Sequence, residues 1–136
     1  MDDCIFCKIV AGDIPASVVY DDDNVLAFMT IEAANKGHIL VIPKQHQSDI
    51  EALDKTTYQA VMDVSQRVGR AIKWQYSPKK VGLMVQGFEV DHAHVHVLPL
   101  HKNDDITMKR ALDNCLLQFE RDELEAEAKQ LKARLS

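Results

Sequence analysis

The sequence predicts an α+β fold. Three observations carry that reading: short β-rich runs separated by turn signals, one long stretch with helical apolar spacing, and a charged C-terminus rich in helix formers. At 136 residues the chain suits one domain over residues 1–136, with a core at 1–101 and an extension at 102–136 that ends in a helix. Taken in order, "CIFCKIVAG" reads as a short helix or turn closed by Gly12, followed by a loop through Pro15. "SVVYDDDNVLAFMTI" holds two β-rich runs around the turn-forming Asp21–Asn24, a hairpin signal. "GHILVIP" is a third strand, apolar enough to be central, entered through Gly37 and ended by Pro43. Asp54 caps a long helix to about Trp74, with Tyr58, Val61, Met62, Val64, Ser65, Val68 and Ile72 as its apolar stripe. "VGLMVQG" and "HAHVHVLPL" are the fourth and fifth strands. In "FERDELEAEAKQLKARLS", Leu124, Ala128, Leu131 and Leu135 fall at helical spacing, so this helix packs across the domain or against a partner chain. Residues 102–118 carry no clear pattern.

Composition excludes several functions. A net charge of −5 without a basic tract argues against a grip on long nucleic acid, while a small phosphate ligand at one local site is compatible. Hydrophobic content of 46% and charged content of 27% are ordinary for a soluble globular protein. The longest apolar runs, such as Ile39–Ile42, are far too short to span a membrane. "MDDCIFCKIV" is acidic and is not a signal peptide. The three cysteines are therefore expected in a reducing, cytoplasmic setting, as thiols or metal ligands.

The stretch "VDHAHVHVLP", Val90 to Pro99, holds three of the chain's six histidines at alternate positions. Side chains alternate faces along a strand, so His92, His94 and His96 share one face at spacings of roughly 6.5–7 Å. Ala93, Val95 and Val97 turn the other way, toward the core. Three imidazoles pack poorly in a core, because each buried nitrogen needs a partner. They point instead to a nucleophile or acid–base group near neutral pH, to metal ligands, or to both. Cys4 and Cys7 form a C-x-x-C, which brings two thiolates to one ion, makes a redox pair, or simply packs. Cys115 stands alone and is expected to be buried. Histidines must then complete any tetrahedral site, and His46 of "PKQH" and one end of the histidine strand are the candidates. Zinc in such a Cys₂His₂ site is structural, since four protein ligands leave no open position for water. Phe28 and Ile31 are either plain core or the lining of a base pocket. Lys44 reads as a surface lysine, Trp74 as packing, and His101 has no assigned role.

Three blocks together resemble the histidine triad (HIT) superfamily: "HAHVHVLP", "GHILVIPKQH", and "CIFCKIVAGDIPASVVYDDDNVLAF", the last similar to the N-terminal block of its zinc-carrying members. They occur in the family order from Cys4 to Pro99 and resemble the branch of histidine triad nucleotide-binding proteins. The resemblance implies nucleotidyl transfer at the α-phosphate of a nucleoside 5′-phosphate derivative. His94 would be the nucleophile, passing through a covalent histidine–nucleoside monophosphate that water releases. His96 would bond the phosphate oxygens, and His38 would help hold the site together. The resemblance also implies a structural Zn²⁺ on Cys4, Cys7, His46 and His92, a purine nucleotide or nucleoside phosphoramidate as ligand, and a homodimer paired through the sheet and long helix. Phe28 and Ile31 would flank the base, and Gln86 matches a position that bonds the phosphate.

Two departures stand out. Thr30 occupies the place of the usual ribose-binding Asp or Asn, and a hydroxyl donates only one hydrogen bond where a carboxylate accepts two. "QGFEVDH" is shorter than the usual loop and lacks its Gly-Gln-x-Val stretch; Glu89 and Asp91 there disfavour a highly anionic ligand. The full expectation is a five-stranded antiparallel sheet with a long central helix and a C-terminal helix, paired as a dimer. Its function is hydrolysis of nucleoside 5′-phosphoramidates or related adenylated molecules. The alternatives are a dinucleoside polyphosphate hydrolase and a nucleotide-binding regulator with negligible turnover.

Overall fold

The computed structural model describes residues 3–135. Helix α1 (Ile5–Ala11) comes first, capped by Cys4, whose Sγ accepts from the Cys7 N–H at 3.3 Å, and closed by Gly12 in the left-handed region. Strands β1 (Ser17–Asp21) and β2 (Val25–Met29) form the expected hairpin. Asp22 holds its turn by accepting the N–H groups of Asn24 and Val25 at 2.7 and 2.8 Å. A two-residue β3 (Glu32–Ala33) leads to β4 (Ile39–Pro43), and a 3₁₀ turn at Ile50–Ala52 leads to α2 (Lys55–Tyr76). Asp54 caps α2, its carboxylate accepting the Thr57 N–H at 2.8 Å. Then follow β5 (Lys80–Met84), β6 (Val95–Leu100), α3 (Lys109–Leu112), β7 (Leu117–Gln118) and α4 (Arg121–Leu135).

The main sheet runs β1-β2-β4-β6-β5 with every neighbour antiparallel, the five-stranded arrangement expected. With β4 in the middle and helices on both faces, β2 and β4 are buried along their whole length, so each reads as an unbroken apolar run rather than an alternation. The back face sets Val25, Ala27, Ile39, Val41, Val95 and Val97 against Val61, Val64, Val68 and Ile72 of α2. The front face sets Leu26, Phe28, Leu40 and Ile42 against Phe6 of α1. Helix α4 packs across the domain, against β1 and α2, burying Leu124, Ala128, Leu131 and Leu135. Each fully buried leucine there stabilises the fold by roughly 1.5–3 kcal/mol. Gly37 turns the chain into β4 at φ 95°, and a Cβ there would lie 2.6 Å from the Tyr76 ring, so the last turn of α2 closes directly over it.

Several local expectations differ from the structure. Tyr58 is not part of the buried stripe of α2, because it lies in the helix's first turn, where none of residues 55–60 is buried, and is 43% exposed. Trp74 is not core packing: it is 67% exposed, with the Arg134 guanidinium 4.9 Å from its ring centroid. Cys115 is exposed rather than buried, since it follows α3 in a surface turn where its N–H bonds the Arg110 carbonyl. The fourth predicted strand ends at Met84, leaving 85–87 outside the sheet. The unreadable 102–118 segment folds as a 3₁₀ turn, α3, and β7 paired with β3, elements too short to carry a period.

Candidate functional site

Strand β6 begins at Val95, so His92 and His94 lie in the chain leading into it and only His96 lies within it. The alternation still holds, with Val95 and Val97 in the back-face core and His94 and His96 on the front. His38, His92, His94 and His96 are all buried. Backbone groups set their tautomers. The Ala34 N–H donates to His38 Nδ1 at 3.1 Å, so the proton of neutral His38 sits on Nε2. That N–H donates to His96 Nδ1 at 2.9 Å, which places the His96 proton on its own Nε2. The His92 carbonyl can only accept, so His94 Nδ1, 2.7 Å away, carries the proton and Nε2 keeps a free lone pair. The Pro43 carbonyl fixes His92 in the same manner, through Nε2 at 2.8 Å, and leaves its Nδ1 as a lone-pair donor.

Burial governs the charge of this group. It drives His38 down to about 3, aided by the charges of His96 and His94, and His96 down to about 4, aided by His94. Burial also lowers His94, although the His92 carbonyl and nearby Glu89 act in the opposite direction. His92 is lowered by burial against the pull of the Pro43 carbonyl.

The His92 lone pair points at a second cluster. Cys4 Sγ and Cys7 Sγ lie 3.4 and 3.6 Å from His92 Nδ1, and Cys7 Sγ lies 3.2 Å from His46 Nδ1. The four ligand atoms lie within 4.8 Å of one another, so the group could hold a metal ion. Bond lengths of about 2.3 Å to sulfur and 2.0–2.1 Å to nitrogen put the ligands of a tetrahedral zinc roughly 3.3–3.8 Å apart, close to the spacing found. Burial, the hydrogen bond with Cys4 and the charge of Cys4 raise the Cys7 thiol above its ordinary value. α1 supplies Cys7 and its N-cap is Cys4, the loop after β4 supplies His46, and the lead-in to β6 supplies His92. The Ala93 N–H ties those last two segments together by donating to the Gln47 carbonyl at 2.7 Å.

In front of the histidines lies a cleft of about 370 Å³, with His38, His94 and His96 at one end. Phe6 stands edge-on to both His94 and Phe28, at 5.1 and 5.6 Å between centroids, and with Ile9 and Ile31 makes the cleft apolar. Thr30 lines it too, but its hydroxyl already donates to the Glu32 carbonyl at 2.8 Å. Gln86 is exposed and lies outside this lining, and His101 is exposed with its N–H on the Asp105 carboxylate. Glu89 does line the cleft. Phe6 and Ile9 were legible as an i,i+3 apolar pair on a short helix; Leu116 and Arg121, which wall the cleft from the C-terminal extension, had no local signal. Among the described residues no helix is long and apolar enough to cross a membrane.

Comparison with known proteins agrees with this arrangement. The chain matches the HIT domain over residues 11–103. A HIT-like protein of Borreliella burgdorferi is 39% identical over 117 residues, covering 81% of this chain and 84% of its own length. The adenosine 5′-monophosphoramidase hnt1 of Schizosaccharomyces pombe is 36% identical over 97 residues, covering 71% of this chain and 73% of its own. The crystal structure of a Zn-bound histidine triad family protein from Mycobacterium smegmatis superposes with a TM-score of 0.76 at 30% identity, covering 98% of this chain and 94% of that one. With the triad His92, His94 and His96 inside the matched segment, the chain belongs to the HIT family.

Proposed function

We propose that the protein hydrolyses nucleoside 5′-phosphoramidates or related adenylated small molecules through His94. The observation that carries this reading is the tautomer pair facing the cleft: a lone pair on His94 Nε2 beside an N–H on His96 Nε2. His94 Nε2 attacks phosphorus and the P–N bond breaks, its electron pair leaving with the amine, which takes up a proton from solvent that the hydrolytic water gives back in the second step. Water then attacks the same phosphorus, displaces His94, and releases the nucleoside monophosphate, so one difficult displacement becomes two easier ones. His96 donates to a phosphoryl oxygen as charge grows there, and His38 acts through it by holding its tautomer. Phe28 and Ile31 flank a purine base, and the Thr30 oxygen is left to accept from a ribose hydroxyl. The phosphoramidase relative from Schizosaccharomyces pombe supports the substrate class.

Cys4, Cys7, His46 and His92 hold Zn²⁺ in this reading, a structural ion because all four positions are protein; the Zn-bound mycobacterial relative supports it. A homodimer is supported by the position of β5 at the sheet edge, where Leu83 is 44% exposed and Val85, just past the strand's end, equally so. A reducing cytoplasmic setting suits the free thiols. One observation favours a nucleotide-binding module with negligible turnover instead, namely that Gln86 lies away from the cleft and the Thr30 proton is already engaged. The test is AMP release from adenosine 5′-phosphoramidate, run beside diadenosine tetraphosphate, for wild type and His94→Gly. Release from the phosphoramidate that vanishes in the variant is expected. AMP binding by folded wild type without product from either substrate would establish the binding module, and faster cleavage of the tetraphosphate the polyphosphate hydrolase.

A further inference from the structure

The one arginine or lysine lining the cleft is Arg121, the first residue of α4. Its guanidinium is held in place: Nη1 donates to Ser17 Oγ at 3.2 Å and Nη2 to the Pro15 carbonyl at 3.4 Å, while Ser17 in turn donates to Glu125 one helical turn further along α4. Two of its five N–H donors are thus engaged and three remain, none of them in an ion pair among the described residues. The sheet register measures how far this group lies from the chemistry. His96 on β6 stands opposite Leu40 on β4, Leu40 opposite Phe28 on β2, and Phe28 opposite Val18 on β1, next to Ser17. Three strand spacings of about 4.8 Å put β1 roughly 14 Å from the histidine strand, comparable to a nucleotide laid flat across the front face. A phosphate at His94 and His96 and a base between Phe28 and Ile31 would carry the far edge of that base to the β1 end of the cleft, whose lining includes Arg121.

We propose that Arg121 reads the acceptor edge of the base and makes the cleft prefer 6-oxopurine over 6-aminopurine nucleotides; this rests on the cleft being the nucleotide site. A guanidinium has donors only. Guanine and hypoxanthine offer it O6 and N7, a pair that arginine meets with two parallel bonds, whereas adenine puts an amino donor where O6 would be. Ile14, Ile31 and Leu116 line the same cleft, so apolar side chains are available to the faces of the base while the guanidinium meets its edge.

The test is equilibrium binding of GMP, IMP and AMP to the full-length wild-type chain, to Arg121→Met and to Arg121→Lys. In wild type GMP and IMP should bind about 5- to 100-fold more tightly than AMP. Arg121→Met should erase that ratio, with an unchanged thermal melting curve as the folding control; Arg121→Lys, which keeps the charge and loses the fork, should shrink it. Equal affinities in wild type would overturn the proposal, as would an undiminished ratio in the variants. A preference for GMP not shared by IMP would assign the selectivity to the 2-amino group instead. Tightest binding of adenosine 3′,5′-bisphosphate, lost in Arg121→Met, would make Arg121 a ribose-phosphate contact and overturn it too. Failure of all the nucleotides to bind would instead refute the nucleotide site itself.

Discussion

Each histidine of the cleft is oriented by one hydrogen bond, to a backbone atom for His38 and His94 and to the His38 ring for His96. The Ala34 N–H orients His38, His38 orients His96, and the His92 carbonyl orients His94, so a short polar chain converts four similar rings into one lone pair facing the Cys4, Cys7 and His46 cluster, one lone pair facing the cleft, and one N–H facing it. That order ranks the effects of mutation. In the proposed mechanism His96→Ala removes the phosphate donor itself and should lower turnover by roughly 10²–10³-fold. His38→Ala should fall between that variant and wild type, because it frees His96 to adopt the wrong tautomer without deleting it. Turnover of the two variants at saturating phosphoramidate, with AMP affinity as control, checks the ranking; a larger loss in His38→Ala would break the relay. At this scale the sequence was partly legible. Three histidines in alternation announced chemistry, whereas the carbonyls and the Ala34 N–H that divide their roles belong to every residue and leave no trace in the side-chain sequence.

Helix α1 is only seven residues long and would not persist alone in water. It is held by Phe6, packed into the front face, and by the cluster that joins Cys4 and Cys7 to His46 and His92. Because Phe6 also stands edge-on to His94, the cluster and the cleft share one wall. Metal analysis of the purified protein should give close to one zinc per chain, with less than about half an ion counting against the four-ligand site. Cys7→Ser or strong chelation should remove it and lower Tm by several degrees, each 1 kcal/mol being worth roughly 4 °C at this size. The same treatment should loosen α1, seen as faster amide exchange at Phe6 and Ile9 than in β4. Exchange unchanged on metal loss would leave Phe6 as the sole clamp. Elements with a sustained period, such as α2 and α4, were legible to within a few residues, and so was the hairpin with its Asp-rich turn. β3 and β7 were not, since two residues show no alternation and each exists by pairing with the other.

Across the whole molecule, the buried histidines make stability depend on pH. His38 and His96 have folded values of about 3 and about 4, below the ordinary 6.5, so between those limits the unfolded chain binds more protons than the native one. Their contribution is complete above about pH 6.5 and is lost as the pH falls toward 4, at up to about 1.4 kcal/mol per pH unit for each ring. Urea unfolding at pH 7, 6 and 5 should show this decline, and His38→Gln should make it shallower by up to one proton; equal slopes would mean that His38 is already protonated in the fold. Side-chain types and their spacing were enough to determine the α+β class, the central place of "ILVIP", the capped long helix and the grouping of two cysteines with the histidines, because these follow from local periodicity and donor chemistry. The path of residues 102–118, the exposure of Cys115 and Trp74, and the arrival of Leu116 and Arg121 at the cleft were decided only by tertiary structure. Each depends on which distant segment the chain meets, β3 or the start of β1, and partners so far apart in sequence impose no pattern on the residues between them.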